Sequence, residues 1–186
     1  MTETFSFNSE SLEKVKFALS KYPEDRKQSA VMSLLDIAQR QNGGWLSKSA
    51  IEHVASHLEM PYIKVYEIVT FYSMYYTTPV GKYFVQVCTT TPCWLKGSDE
   101  VVKACKEIIS EKQNELSNDG LFSWMEVECL GACVNAPLVQ INDDFYEDLN
   151  YENTKNVLQS FIDGNPSPIG SQTGRKGSRA EEYVKS

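Results

Sequence analysis

The sequence contains no apolar run approaching the roughly 18 residues of a membrane-spanning helix, so direct membrane insertion is not expected. Positive charge is scarce. Lys and Arg number 18 against 25 Asp and Glu, a net charge of −7. Nucleic-acid binding rests on clustered Lys and Arg, so that class of partner is excluded. No basic segment followed by a greasy core opens the chain, and no Arg precedes Arg26, which argues against a secretory or transit leader. A reducing cytoplasm is the expected setting, and there clustered cysteines serve as metal ligands or redox catalysts more often than as disulfides. Three signatures are also missing: Cys-x-x-Cys, His-Glu-x-x-His and Gly-x-Gly-x-x-Gly. Their absence leaves no motif for dithiol redox catalysis, a zinc protease site or dinucleotide binding by this chain.

What is present falls into three stretches. Residues 1–78 read as a helical N-terminal region. Leu12, Val15, Leu19 and Tyr22 recur at helical spacing behind Ser9 or Ser11 as cap. Pro23, Glu24 and Asp25 suit the opening turn of a second helix carrying Ala30, Val31, Leu34, Leu35 and Ala38, which Gly43-Gly44 ends. Ser47 opens a third and Pro61 a fourth. At Pro79-Val80-Gly81 the period changes from helical to alternating. From there to residue 163 the pattern predicts a strand through Tyr83, Val85 and Val87, a helix through Val101, Cys105 and Ile108, strands at 122–128 and 138–141, and a helix through Val157, Leu158 and Phe161. The class is α/β: an N-terminal helical bundle followed by a small α/β domain with one crossover. Residues 164–186, rich in Gly, Ser and Pro with Arg175, Lys176 and Arg179, read as a flexible tail.

Five cysteines are present, and four form two pairs, Cys88/Cys93 and Cys129/Cys133. Each pair begins where a strand is expected to end and closes across a short loop, which suits convergence on one metal centre. A disulfide framework conflicts with the reducing setting and the odd count. Two readings stay open from spacing alone. Structural zinc accepts paired cysteines with two to four residues between them, and a [2Fe–2S] rhomb takes two thiolates on each iron.

The flanking residues carry more. Pro79-Val80-Gly81-Lys82, Gln86-Val87-Cys88-Thr89-Thr90-Thr91-Pro92-Cys93 and Glu128-Cys129-Leu130-Gly131-Ala132-Cys133-Val134-Asn135-Ala136-Pro137 closely resemble one family. It is the thioredoxin-like [2Fe–2S] subunit of NADH:quinone oxidoreductase, respiratory complex I, also called the 24 kDa or E subunit. Val65 to Tyr72 upstream, and Val139 to Asp143 with Tyr146 to Leu149 downstream, extend the resemblance. It implies a thioredoxin-like [2Fe–2S] domain over residues 79–163, with Cys88, Cys93, Cys129 and Cys133 as the iron ligands. It implies a peripheral electron-transfer subunit at the cytoplasmic side of a bacterial inner membrane. Its partners would be a flavoprotein subunit that binds NADH and FMN and the large iron–sulfur subunit of complex I. One electron would be exchanged with that FMN, off the main path to quinone. Equivalent subunits of NAD-linked formate dehydrogenases and hydrogenases, and a freestanding ferredoxin, are the alternatives.

Residues around and beyond the pairs carry weaker signals. Oxidised and reduced clusters with four thiolates carry about −2 and −3, so nearby dipoles and charges set how readily an electron is accepted. Donors are expected from Thr89, Thr90 and Thr91 and from backbone N–H groups around Gly131 and Ala132. Glu126, Glu128, Asp143 and Asp144 are expected to crowd negative charge near the second pair and so help keep the potential low, with ordinary surface solvation the favoured reading for any single one of them. Cys105 reads as core, His53 and His57 as structural or solvated, and Tyr62, Tyr66, Tyr72, Tyr75 and Tyr76 as packing or interface residues.

Overall fold

A computed structural model describes residues 4–177, and the chain divides into two compact units between Val80 and Gly81. The first is helical: α1 (Ser9–Leu19), α2 (Val31–Gln41), α3 (Lys48–His57) and α4 (Tyr62–Phe71). Asn8, rather than Ser9 or Ser11, caps α1, its side chain accepting the Ser11 N–H at 2.8 Å. Such a cap is worth about 1 kcal/mol. Ser47 caps α3 as expected. Where the pattern suggests one helix from Pro23 to the glycines, Glu24–Ala30 form a 3₁₀ segment with Arg26 outside helical angles, and α2 starts only at Val31. Leu34, Leu35, Ile51, Val54, Leu58 and Val65 fill the core of this unit. Burying each such side chain fully is worth about 1.5–3 kcal/mol.

The second unit is built on a five-stranded sheet of order β2-β1-β3-β4-β5. Its strands are β1 (Tyr83–Cys88), β2 (Phe122–Val127), β3 (Leu138–Ile141), β4 (Asp144–Glu147) and β5 (Gly170–Ser171). A short α5 (Thr91–Leu95) and the longer α6 (Ser98–Ile108) cross from β1 to β2, and α7 (Tyr151–Ile162) follows β4. Period-two alternation places Val85, Val87, Phe122, Trp124, Val139 and Ile141 on the sheet face that packs with Val101 and Cys105 of α6 and Val157, Leu158 and Phe161 of α7.

Two features of this sheet matter for function. β1 and β2 run parallel with Tyr83 opposite Phe122 and Cys88 opposite Val127. Both strands therefore release their following loops at the same end of the sheet. Gly81 sits at the other end, so close to the second strand that a Cβ there would lie 2.2 Å from the Phe122 carbonyl carbon. Only glycine permits that approach. β2 is an edge strand, and residues 113–117 run along its outer side. The N–H groups of Asn114 and Ser117 donate to the carbonyls of Trp124 and Phe122, each at 2.8 Å.

Two expectations need correcting. α5 occupies a stretch that the sequence suggests is a loop. Residues 164–177, expected to belong to a flexible tail, carry β5, which pairs in parallel with β4 (Tyr146 opposite Gly170), and Arg175 there forms an ion pair with Asp148 at 2.6 Å. Burial of Asp148 rewards that pairing. Residues 178–186 of the expected tail lie outside the described residues. Among the described residues no helix is long and apolar enough to cross a membrane.

Candidate metal centre

Cys88 is the last residue of β1, the strand flanked by neighbours on both sides, and it is fully buried. Thr89 still holds the sheet, its N–H donating to the Val127 carbonyl at 3.4 Å. The chain then turns into α5, where Pro92 occupies the first turn, a position that needs no N–H. That turn carries Cys93 inward, also fully buried. Cys88, Cys93, Ala136 and Leu138 form a small apolar cluster of their own, with Leu130, Ala132 and Phe145 at its margin.

The second pair is placed differently. β2 ends at Val127, and the chain leaves the sheet edge through Glu128, Cys129, Leu130 and Gly131. Gly131 turns at φ +85°, in the region that favours glycine. A single 3₁₀ turn (Cys133–Asn135) follows, then the buried Ala136-Pro137 step into β3, whose peptide bond is cis. Cys129 and Cys133 are both exposed, with their sulfurs 3.4 Å apart.

The four thiols act on one another. Burial pushes the Cys93 thiol up to about 12, assisted by its hydrogen bond and charge interaction with Cys88, with Cys133 contributing as well. Burial alone would raise Cys88 too. Donation from the Thr90 hydroxyl, the Leu130 N–H and Cys93 outweighs it and lowers this thiol. Cys129 is lowered by the Gly131 N–H, then by Cys133 and the Thr90 hydroxyl, while its hydrogen bond with Cys129 raises Cys133. In each pair the first sulfur is the better anion and the second the better proton holder.

Thr90 stands between the pairs. Its hydroxyl lies 3.5 Å from the Cys88 sulfur and also serves Cys129. Of the donors expected from sequence, Thr90 and the Gly131 N–H are in place. Two donors were missed, the N–H groups of Leu130 toward Cys88 and of Leu138 toward Cys93. Both are backbone groups, which no residue type announces.

The acidic residues divide. Glu128 is exposed beside Cys129, and Glu126 is held by Gln113, whose amide donates to it at 2.8 Å. Asp143 and Asp144 are not near the second pair. β3 runs antiparallel to β1, with Ile141 opposite Val85, so the β3–β4 turn reaches the end of the sheet away from Cys88. The Asn142 N–H bonds to the Phe84 carbonyl there, at 3.1 Å. Cys105 is buried in the core, its thiol pushed up to about 12 by burial. His53 accepts the Phe7 N–H at its Nε2 and packs edge-on against the Phe7 ring, as does His57. Tyr62 and Tyr66 stack on each other, and the buried Tyr75 donates its hydroxyl to the Met32 carbonyl at 2.9 Å.

The sequence model of the thioredoxin-like [2Fe–2S] ferredoxins matches residues 15–162. The chain belongs to the thioredoxin-like [2Fe–2S] ferredoxin family. Membership implies a [2Fe–2S] cluster as cofactor. Within this family the chain is 54% identical over 159 residues to the E subunit of the NADH-quinone oxidoreductase of Rickettsia typhi, covering 86% of this chain and 94% of that one. It is 50% identical over 172 residues to the mitochondrial NADH dehydrogenase [ubiquinone] flavoprotein 2 of Dictyostelium discoideum, covering 92% and 70% respectively. The crystal structure of an air-oxidized NAD+-reducing [NiFe]-hydrogenase shares the fold, with a TM-score of 0.60 over 72% of this chain at 17% identity. The match spans only 23% of that hydrogenase chain.

The donor set of this ferredoxin fits the cluster. Metal–thiolate bonds of about 2.3 Å at tetrahedral angles put two sulfurs on one metal about 3.8 Å apart. The Cys129–Cys133 separation of 3.4 Å is within a few tenths of that, and far from the roughly 2.05 Å of a disulfide. Among the described residues no group of three or more His, Cys, Asp or Glu is poised around one metal ion. A rhomb asks only for two thiolates per iron, and two pairs are what the loops provide.

Proposed function

We propose that this chain is the peripheral [2Fe–2S] electron-transfer subunit of an NADH:quinone oxidoreductase, with Cys88, Cys93, Cys129 and Cys133 holding the cluster. The observation that carries the reading is the parallel pairing of β1 with β2, which delivers both cysteine loops to one end of the sheet in a family that carries this cofactor. When bound, a [2Fe–2S] cluster supplies a one-electron acceptor and donor. The chain's own residues hold and tune it. Buried Cys88 and Cys93 fix one side, while the Thr90 hydroxyl and the Leu130, Gly131 and Leu138 N–H groups direct dipoles at the sulfurs, offsetting charge as an electron arrives. On this reading the chain's contribution to catalysis is electron transfer alone.

The exposed pair opens the site to a partner. The partner of this reading is a flavoprotein subunit that binds NADH and FMN, with the large iron–sulfur subunit of the complex nearby. The names of the relatives support membership of an NADH:quinone oxidoreductase; on this reading the protein lies in the peripheral arm on the cytoplasmic face of the membrane. The likeness to the hydrogenase is one of fold and does not favour that complex.

The test is low-temperature EPR of anaerobically purified, dithionite-reduced protein. A rhombic signal near one spin per chain, lost when both cysteines of either pair are replaced, is the expected result. Colourless, EPR-silent protein carrying zinc on the same four cysteines would sink the reading.

A further inference from the structure

The segment after α7 does more than follow the sheet. Its β5 pairs with β4, and the Gln172 N–H then donates to the Glu147 carbonyl at 2.9 Å. Ser171 receives the N–H groups of Thr173 and Arg175 on its hydroxyl oxygen, forming a tight turn, and donates that hydroxyl to Asp148 Oδ2 at 2.6 Å. The turn aims Arg175 at the chain immediately after Cys133. Its Nη2 donates to the Val134 carbonyl at 2.7 Å and to Asn135 Oδ1 at 3.0 Å. Its Nη2 and Nε both also reach Asp148 Oδ1, at 2.6 and 3.0 Å.

Asn135 is the buried hub beneath this contact. Its side-chain amide donates to Glu147 Oε2 at 2.7 Å, and its carbonyl accepts the Asp148 N–H at 2.8 Å. The loop that carries Cys133 is thereby fastened to β4 from within and to the C-terminal segment from outside. The Cys88/Cys93 pair needs no such fastening, because β1 is flanked by strands on both sides.

We infer that Arg175 is a positioning residue for the cluster: residues 170–177 form a strap whose guanidinium fork fixes the Cys133 loop and whose charge, balanced against Asp148, sets the field the cluster experiences. The inference rests on the four-cysteine reading above. Its chemistry separates charge from shape. Removing the cation leaves Asp148 as an uncompensated anion beside the loop, which disfavours adding an electron to an already anionic centre. Removing the anion leaves the cation uncompensated and does the reverse. Lysine keeps the charge but cannot present the planar fork that serves three acceptors at once.

The experiment uses the full chain with its cluster and compares wild type with Arg175→Gln, Arg175→Lys and Asp148→Asn. Midpoint potentials come from EPR-monitored redox titration, and cluster loss is followed by visible absorbance under chelator. Arg175→Gln is expected to lower the potential and Asp148→Asn to raise it. Arg175→Lys is expected to keep the potential near that of wild type while losing cluster on the order of tenfold faster, the usual scale for groups that orient metal ligands. Shifts of the same sign in the Gln and Asn variants, or no shift in either, overturn the strap. Melting curves of the apo-proteins identify any variant that fails to fold, and the remaining charge variant then decides by the sign of its shift. A wild type that binds no cluster removes the four-cysteine reading and the strap together, whereas a wild type with a cluster indifferent to these variants removes the strap alone.

Discussion

On the proposed four-cysteine reading, the two cysteine pairs would share one chemical job on different mechanical footings. Cys88 and Cys93 are fully buried, grow from the interior strand β1 and share an apolar pocket with Ala136 and Leu138. Cys129 and Cys133 are exposed, follow the edge strand β2, and depend on a loop whose shape comes from Gly131, Asn135 and Arg175. Rigidity and access are thus divided between the halves of one site. In the proposed site the inner pair would anchor the cluster, and the exposed outer pair would leave it accessible.

The largest effect should come from what holds the halves in register. Gly81→Ala would force a Cβ into the Phe122 backbone, which cannot rotate away as a side chain could. A loss of about 3 kcal/mol or more is expected. Denaturant unfolding of the apo-protein measures it, and a stability change below 0.5 kcal/mol, on the order of an ordinary surface substitution, would show the parallel pairing to be more tolerant than argued.

Next comes the asymmetry itself. A serine alkoxide could replace a thiolate only where water helps to carry its charge, since burying an unpaired charge is costly. Cys88→Ser and Cys93→Ser are expected to abolish the visible chromophore after reconstitution. Cys129→Ser and Cys133→Ser should retain it with an altered EPR spectrum. Equal loss in all four variants would erase the distinction between inner and outer halves.

A smaller effect is expected at Gly131. Nothing lies within 4 Å of a Cβ built there, so Gly131→Ala meets only the backbone penalty of a positive φ. That penalty is about 1 kcal/mol. It should appear as faster cluster loss to chelator, with a melting temperature close to that of wild type.

The smallest effect is acidic. Burial would raise the Asp148 carboxyl, but Arg175 and Ser171 outweigh it and hold the group below its ordinary value of 3.8. The unfolded chain therefore binds the proton first. The stabilisation is complete above about pH 4 and fades as pH falls through the lower folded value. It should not exceed about 1 kcal/mol, because Arg175 remains half in solvent. Apo-protein melting between about pH 5 and pH 3 should fall more steeply for wild type than for Asp148→Asn; parallel curves would show that the pair contributes nothing.

Sequence alone carried the inner half of the site further than the outer half. The alternation of Tyr83, Val85 and Val87 marks β1, and Cys88 at its end is legible because period-two burial is a local signal. The family was recognisable from the motifs that flank the four cysteines. What escaped depends on chain reversal or on backbone atoms. Asp143 and Asp144 follow the second pair closely in sequence, but antiparallel β3 carries them to the far end of the sheet. α5 hid behind Thr90-Thr91-Pro92, which reads as a turn until Pro92 is seen inside a helix's first turn. The N–H groups of Leu130 and Leu138 have no side-chain signature. Arg175 lay in a segment whose Gly and Ser content suggests disorder, while its partner Asp148 sits 27 positions earlier. Such pairing is invisible to any local pattern.

The row of residues 113–117 along β2 has a consequence for the protein before it meets its complex. An uncovered edge strand offers a ladder of free N–H and C=O groups to any other chain, including another copy of itself. Asn114 and Ser117 occupy two rungs of that ladder, and Gln113 closes a third by accepting the Glu126 N–H at 2.9 Å. The blockade stops just short of Cys129. Along β2 the sheet is thus closed to strand addition, and beyond the blockade side chains rather than backbone select what docks.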